Sequence, residues 1–317
     1  MEWGYSCSSE EFEASQLVRF GRRAEEAGFD FVTVSDHYHP WTTAQGHSPF
    51  AWSTLGALAA CTERVGLATA VTCPLIRIHP VVVAQAAATT SELSGGRFWL
   101  GVGTGEALNE HVTGARWPPV EVRVEMLAEA VQIIRALWTG ETVDIRGDHF
   151  TVENAKLFSA PAHPIDIVWA AAGEESASAA AEHADGLWCT HPSAETVDAY
   201  RAAGGDGPVV AQITVCWGAD EASARATALR QWPNAALGGQ LGQDLPTWTH
   251  FEHASSLARE DDVAARVVCG ADTDRLLAAV EEFIEAGADR IHFHQVGPEQ
   301  DAFIRAFETD LRPVLTS

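Results

Sequence analysis

Short apolar segments rich in β-branched residues alternate along the chain with amphipathic stretches, a pattern typical of parallel strands joined by helices. Several of these segments are apolar at every position, as expected of strands covered by helices outside and packed inside a barrel. Two amphipathic stretches end in a glycine that can close a helix, at Gly28 and Gly287. The pattern predicts eight strands, at residues 2–6, 30–35, 65–72, 97–102, 165–171, 186–190, 209–217 and 289–295.

This order of elements predicts an α/β fold, a (β/α)8 TIM barrel that forms a single domain over residues 1–317, with two insertions. Residues 143–158 alternate around a Gly-Asp pair and predict a hairpin appended to the barrel. Residues 220–262 are too long for a simple crossover, and their Trp, Pro and Gly content indicates a helix plus an irregular segment. Such insertions commonly build a lid or an interface.

The net charge and the absence of targeting segments argue against nucleic-acid and membrane partners. The formal net charge is −24 and Lys156 is the only lysine, so a nucleic-acid-binding face is not expected. The chain shows no signal peptide and no apolar run of membrane-spanning length, which predicts a cytoplasmic protein without a membrane contact. The six cysteines are scattered singly, so neither a zinc knuckle nor a disulfide framework is indicated.

Candidate catalytic residues lie just after the predicted strands, where the active sites of barrel enzymes are found. Asp36 and His37 follow the second strand in SDHYHPW, and Glu106 follows the fourth in GVGTGEALNE. The second motif is not a dinucleotide fingerprint, because Glu106 occupies the position of its last glycine. Its glycines would let the backbone approach a ligand closely, although such glycines can equally be simple turns.

The histidines allow three interpretations. Pairs with i, i+2 spacing, which could place two metal ligands on one face of a strand, occur twice, at His37/His39 and His292/His294. Pro40 biases the residue before it toward an extended loop, so the first pair need not share a face. General acid–base catalysis by His37 is the favoured interpretation, ahead of a buried structural histidine and of a metal site. We expect no metal.

Several motifs in a fixed order resemble the luciferase-like family of barrel oxidoreductases: TVSDHYHPW, QGHSPFAWS, VGLATAVTCP, LGVGTGEALNEHVTG, RALWTGE and WAAAGEES. They are most similar to the branch that uses coenzyme F420, an 8-hydroxy-5-deazaflavin, and within it to the glucose-6-phosphate dehydrogenase group. The resemblance runs from residue 3 to about 190 and from about 262 to the end. It implies a barrel of the bacterial luciferase type, coenzyme F420, a small-molecule substrate, hydride transfer at C5 of the coenzyme and a homodimer.

The resemblance also implies roles for individual residues. His37 would be the general base on a substrate hydroxyl, Glu106 the proton partner of the reduced coenzyme, and Trp41 a ring packed over the reacting centre. Ala70 and Val71 would flank a non-proline cis peptide beside the coenzyme. The other expected coenzyme-binding residues are Asp36, Cys73, Gly105, Asn109, Ala171, Ala172 and Gly173, and the expected substrate-binding residues are Glu10, Thr190 and His191.

One departure from the family pattern bears on the substrate. Ser193 and Ala265 stand where the sugar-phosphate enzymes carry phosphate-binding lysines. A neutral sugar, alcohol or ketone is therefore expected in preference to glucose 6-phosphate. An FMN-dependent monooxygenase of the same fold and a metal-dependent barrel hydrolase remain as alternatives. The sequence leaves open the substrate itself, the reaction direction and the redox partner.

Overall fold

The computed structural model describes residues 1–316, and within them eight parallel strands close into a barrel surrounded by helices. The order around the barrel is β1, β2, β3, β4, β7, β8, β9 and β11, and pairing of β9 with both β8 and β11 completes the circle. The strands are β1 Glu2–Cys7, β2 Phe31–Val34, β3 Gly66–Thr69, β4 Phe98–Val102, β5 Val143–Arg146, β6 Thr151–Ala155, β7 Ile167–Ala170, β8 Gly186–Cys189, β9 Val209–Cys216, β10 Val268–Cys269 and β11 Arg290–Gln295.

The predicted (β/α)8 fold is thus confirmed, and each of the eight predicted strands is present, with differences at the ends. The predicted strand at 65–72 stops at Thr69, because the residues after it leave the ladder and line a cavity. The two-residue strand β10 was not predicted; it adds to the edge of β9 with Cys269 opposite Cys216. A strand this short carries too little periodic signal to be recognised in a sequence.

Helices connect the strands on the outside of the barrel. Gly28 follows the first helix with a φ of 88°, and its N–H closes the last turn, as its position in the sequence predicted. The helices are α1 Ala14–Ala27, α2 Ala51–Cys61, α3 Pro80–Leu93, α4 Ala107–Glu110, α5 Val120–Trp138, α6 Glu174–His183, α7 Ala194–Ala202, α8 Glu221–Gln231, α9 Leu241–Asp244, α10 Trp248–Ser255, α11 Glu260–Ala264, α12 Thr273–Glu285, α13 Gln300–Ala306 and α14 Arg312–Leu315. Short 3-10 turns occur at His111–Thr113 and Pro233–Ala236, and a π-helical turn at Phe307–Leu311.

Side chains alternate between the helix layer and the barrel interior, as the pleat of a strand requires. Inside the barrel, a separate apolar cluster fills the centre, formed by Phe31, Ala68, Trp99, Val168, Trp188 and Val210. Because this cluster fills the centre of the barrel, the space for a ligand lies at the carboxyl ends of the strands.

The two predicted insertions are both structured. Strands β5 and β6 form the antiparallel hairpin expected at 143–158, with Ile145 opposite Val152. The segment expected at 220–262 is mostly helical, from α8 to α11. Its α10 packs on the loop after β2: the ring of Phe251 lies 4.9 Å from that of Trp41, and Trp248 lies 4.8 Å from His39. Among residues 1–316, we find no helix with the length and apolar character to cross a membrane.

Candidate active site

A cavity of about 550 Å³ opens at the carboxyl ends of the barrel strands. Asp36, His37, Trp41 and Glu106, four of the residues singled out in the sequence, all line it. Its volume lies in the usual range for small-molecule sites. Nine further residues predicted from the sequence lie in its wall, namely Glu10, Ala70, Val71, Cys73, Gly105, Ala171, Ala172, Gly173 and Thr190.

His37 is at the centre of this arrangement, between two carboxylates. Its Nδ1 lies 3.3 Å from Oε1 of Glu10, and its Nε2 lies 3.9 Å from Oε2 of Glu106. Nδ1 makes no hydrogen bond of standard geometry, so the contact with Glu10 is electrostatic. The ring of Trp41 stands edge-on to the imidazole at 5.0 Å between centroids. A proton accepted by His37 would therefore be stabilised by negative charge on both sides.

Glu10 is held as an anion beneath His37. Burial raises the pKa of Glu10, but the interaction with His37 and the hydrogen bonds from Ser35 and Ser8 outweigh it and lower this pKa overall. Both hydroxyls donate to Oε2 at 2.8 Å, which leaves Oε1 directed at the imidazole. The two serines were not predicted; each lies at a strand end, where serine is too common to stand out.

Asn109 was expected to line the cavity, but its side chain is buried outside the wall. Its Oδ1 accepts hydrogen bonds from the backbone N–H groups of Tyr38 and His39, at 2.9 and 3.1 Å. Its Nδ2 donates to Oε2 of Glu106 at 3.3 Å. Asn109 therefore ties the loop that carries His37 to Glu106 instead of contacting a ligand directly.

Asp36 is fixed by a buried ion network. The hydroxyl of Thr72 donates to its Oδ2 at 2.5 Å, and Arg77 donates to its Oδ1 at 2.9 Å. The backbone N–H of Arg77 donates to Glu110 at 2.7 Å, and burial of the Glu110 carboxyl raises its pKa to about 6. The sequence analysis missed this network, although an arginine inside the apolar run PLIRIHP was a usable signal.

Small residues shape the wall beside β3 and β4. The Ala70–Val71 peptide is cis, as predicted. A side chain at Gly103 would place its Cβ 2.7 Å from Val71, and one at Gly105, where φ is 74°, would place it 2.5 Å from the sulfur of Cys73. These glycines are therefore required for close packing of the wall, and are more than turn residues.

The other histidines do not converge on His37. His39 points away, with its Nδ1 3.1 Å from the carbonyl oxygen of Leu108. Burial, with a smaller contribution from His294, lowers the pKa of His292 to about 3, so this side chain is neutral inside the barrel. His191, expected to bind substrate, lies outside the wall and contacts Arg266 at 2.9 Å. In the described part of the chain, no three His, Cys, Asp or Glu side chains are grouped as metal ligands.

The side chains of the cavity wall that carry a full charge at neutral pH are all carboxylates. Within residues 1–316, no lysine or arginine lines the cavity. The ionisable acidic groups that do so are Glu10, Asp36, Glu106, Glu110, Glu121, Glu174 and Glu175. A phosphorylated substrate would therefore find no cationic partner in this wall.

Comparison with known proteins connects this geometry to a family. The family model for luciferase-like monooxygenase matches residues 1–290. An F420-dependent glucose-6-phosphate dehydrogenase of Amycolatopsis mediterranei is 35% identical over 326 aligned positions, covering 98% of each chain. One from Rhodococcus hoagii is 34% identical, covering 99% of this chain and 98% of the relative.

Solved structures agree with the sequence matches. An F420-dependent secondary alcohol dehydrogenase, in complex with an F420-acetone adduct, superposes with a TM-score of 0.90 at 29% identity and covers 97% of each chain. The F420-dependent tetrahydromethanopterin reductase of Methanopyrus kandleri superposes with a TM-score of 0.78 over 99% of each chain; at 20% identity it supports the fold alone. The chain belongs to the luciferase-like family and is related over nearly its whole length to F420-dependent dehydrogenases of that family.

Proposed function

We propose that this protein is an F420-dependent dehydrogenase or reductase. It would move a hydride between C5 of coenzyme F420 and a carbinol or carbonyl carbon of a small neutral molecule. The observation that carries the proposal is the placement of His37 between Glu10 and Glu106, at 3.3 and 3.9 Å, in a cavity that also contains a wall of small residues. The named activities of the relatives and of the solved F420-dependent alcohol dehydrogenase support the same conclusion.

The residues of the cavity fit the coenzyme. Bound F420 supplies or accepts the hydride at C5 of its central ring. Ala70, Val71 and Gly105 would lie along the flat ring system, because they leave its side of the cavity free of large side chains. Asp36 lines the cavity where the edge of the ring would lie, and the bonds of its enclosed carboxylate to Thr72 and Arg77 would hold this part of the chain in place.

The phosphate-bearing chain of the coenzyme would lie near the start of α6. Ala171, Ala172 and Gly173 lead into this helix, and a Cβ at Gly173 would touch nothing within 4 Å, so there is space for a ligand beside the backbone. The N–H groups at the start of a helix favour anions. The carboxylates of Glu174 and Glu175 oppose this attraction.

His37 would take the proton of the substrate hydroxyl during oxidation. Glu10 would stabilise the imidazolium that forms, and Glu106 would hold the proton exchanged with the coenzyme. Trp41, packed between His37 and Phe251, would keep water from the reacting carbon. In the reducing direction the same residues would act in reverse order.

The charge of the wall favours a neutral substrate. Ser193 and Ala265 replace the expected phosphate-binding lysines, and the nearby Arg266 points its guanidinium at His191, outside the cavity wall. Transfer of a phosphate dianion into a cavity with only acidic charges is unfavourable. Glucose 6-phosphate should therefore be a poor substrate, whereas Thr190 remains available to contact an uncharged one.

We further propose that residues 1–317 form one domain, that the protein acts in the cytoplasm, and that it is a homodimer. The family resemblance supports the dimer. Light scattering after gel filtration would distinguish a dimer from a monomer, and a monomer at micromolar concentration would contradict this part.

The decisive experiment is a titration of the purified protein with F420 and, separately, with FMN. Quenching of ligand fluorescence by F420 at micromolar concentration, with little effect of FMN, is expected. Oxidised F420 should then lose absorbance when a neutral alcohol is added, and no metal should be required. Binding of FMN in preference to F420 would instead favour a monooxygenase of the same fold.

A further inference from the structure

The top layer of the barrel interior, which forms the bottom of the cavity, has two chemically different halves. On one side, Ala70 and Gly103 directly follow β3 and β4, and Ala170 is the last residue of β7. The strands β1, β9 and β11 instead contribute polar side chains, and we name this set the polar floor: Ser6, Gln212 and His294. Both β1 and β9 pair with β11, so the polar floor is a continuous patch.

His294 is the most constrained member of the polar floor. The residue is 3% exposed, yet neither ring nitrogen has a hydrogen-bond partner among the described residues. The nearest carboxylate oxygen, Oε2 of Glu11, lies 3.8 Å from Nε2, beyond hydrogen-bond distance. The ring is held by Trp232, edge-on at 4.5 Å between centroids. A buried imidazole without partners is unfavourable, so a ligand group that pairs with it would be favoured.

Gln212 adds an amide with free donors and a free acceptor. It lies on β9 opposite His292 of β11, so it and His294 face the same side of neighbouring strands. Its side chain is half-buried and makes no hydrogen bond within residues 1–316. An imidazole and an amide both donate and accept, as a hydroxyl does, and neither carries a fixed charge.

We infer that the polar floor binds a second hydroxyl of the substrate, on a carbon close to the one that is oxidised. The substrate class would then be a neutral polyhydroxylated molecule, a polyol or free sugar, and not a simple secondary alcohol. This inference rests on the proposed function, because His37 and the coenzyme must act on the neighbouring carbon. A site that hydrogen-bonds a hydroxyl rejects an analogue without it strongly, since the buried polar groups are then left unpaired.

The test compares alcohols with the same carbon skeleton, glycerol against isopropanol and erythritol against sec-butanol. In the F420-loaded wild-type protein, kcat/KM should be at least tenfold higher for each polyol. Gln212→Met, which keeps the size of the side chain, should remove most of this preference, chiefly by raising KM for the polyols. His294→Gln should act in the same direction.

Gln132→Met is the matched control, since it makes the same substitution at an exposed residue of α5 that does not line the cavity. It should leave the preference intact. An equal or higher kcat/KM for the mono-alcohols, or a preference unchanged in Gln212→Met, would overturn the inference even if F420 is reduced normally.

A binding measurement separates this inference from the proposed function. The polyols should raise the unfolding temperature of the wild type and of Gln132→Met, and should do so less in Gln212→Met. If the polyols bind in this way while F420 neither binds nor is reduced, the proposed function is refuted, but binding of polyols at the polar floor is supported. If F420 binds and isopropanol is oxidised but no polyol binds, the inference fails alone.

Discussion

Substitution of Glu10 by Gln tests whether the buried carboxylate assists His37. Two unit charges 3.3 Å apart attract by about 5 kcal/mol at an effective dielectric constant of about 20. Because the proton is only partly transferred in the transition state, about half of this energy should be lost in Glu10→Gln. Each 1.4 kcal/mol is about a factor of ten in rate, so hydride transfer should slow by roughly 100-fold.

The assay is a single-turnover measurement of F420 reduction, with any alcohol that the wild type oxidises. The dissociation constant of F420 should change by less than about threefold, because Glu10 lies away from the small-residue wall. Ser8→Ala is the control: it removes one hydrogen bond to Glu10 but keeps the charge, and should slow the reaction by less than about tenfold. A rate for Glu10→Gln within a factor of about three of the wild type would refute the role of this charge.

Further substitutions test the remaining parts of the site. His37→Ala and Glu106→Gln should each slow hydride transfer by roughly 100-fold or more with F420 affinity retained, whereas Asp36→Ala should weaken F420 binding in the fluorescence titration. Burial raises the pKa of Glu110 from 4.5 to about 6, so the folded state favours the protonated carboxyl. The stability that this protonation contributes is fully present below pH 4.5 and is lost as the pH rises through 6. The stability of the wild type relative to Glu110→Gln, from urea unfolding, should therefore fall by about 2 kcal/mol between pH 4 and pH 7; a constant difference would contradict this. Glu175→Gln should tighten F420 binding and reduce the effect of salt on it, because the wild-type carboxylate repels the phosphate; unchanged affinity at low salt would count against that repulsion.

The barrel could be predicted because apolar and amphipathic segments alternate regularly along the sequence. Each strand is a short apolar run and each helix an amphipathic stretch, so an error of a few residues at an end does not alter the fold. The placement of His37 and Glu106 in one cavity followed from the same rule, since residues just after parallel strands meet at one end of the barrel.

The direction of individual side chains could not be predicted in this way. Asn109 lies in the short helix α4, three residues beyond Glu106, and turns inward to the backbone of the loop after β2. His191 is the second residue after β8, where the chain already bends outward to Arg266. Such orientations depend on long-range contacts that leave no periodic signal in the sequence.

The division of the cavity bottom by strand has a consequence for how this family can diversify. The small residues come from β3, β4 and β7, whereas Gln212 and His294 come from β9 and β11, in the last third of the chain. Trp232, which holds His294, belongs to the helical segment between β9 and β10. Under the proposed function, mutations in this last third would change which alcohol is accepted without disturbing the side of the cavity assigned to the coenzyme. Recombination near β8 would be a direct way to exchange specificities between relatives while the redox chemistry is inherited unchanged.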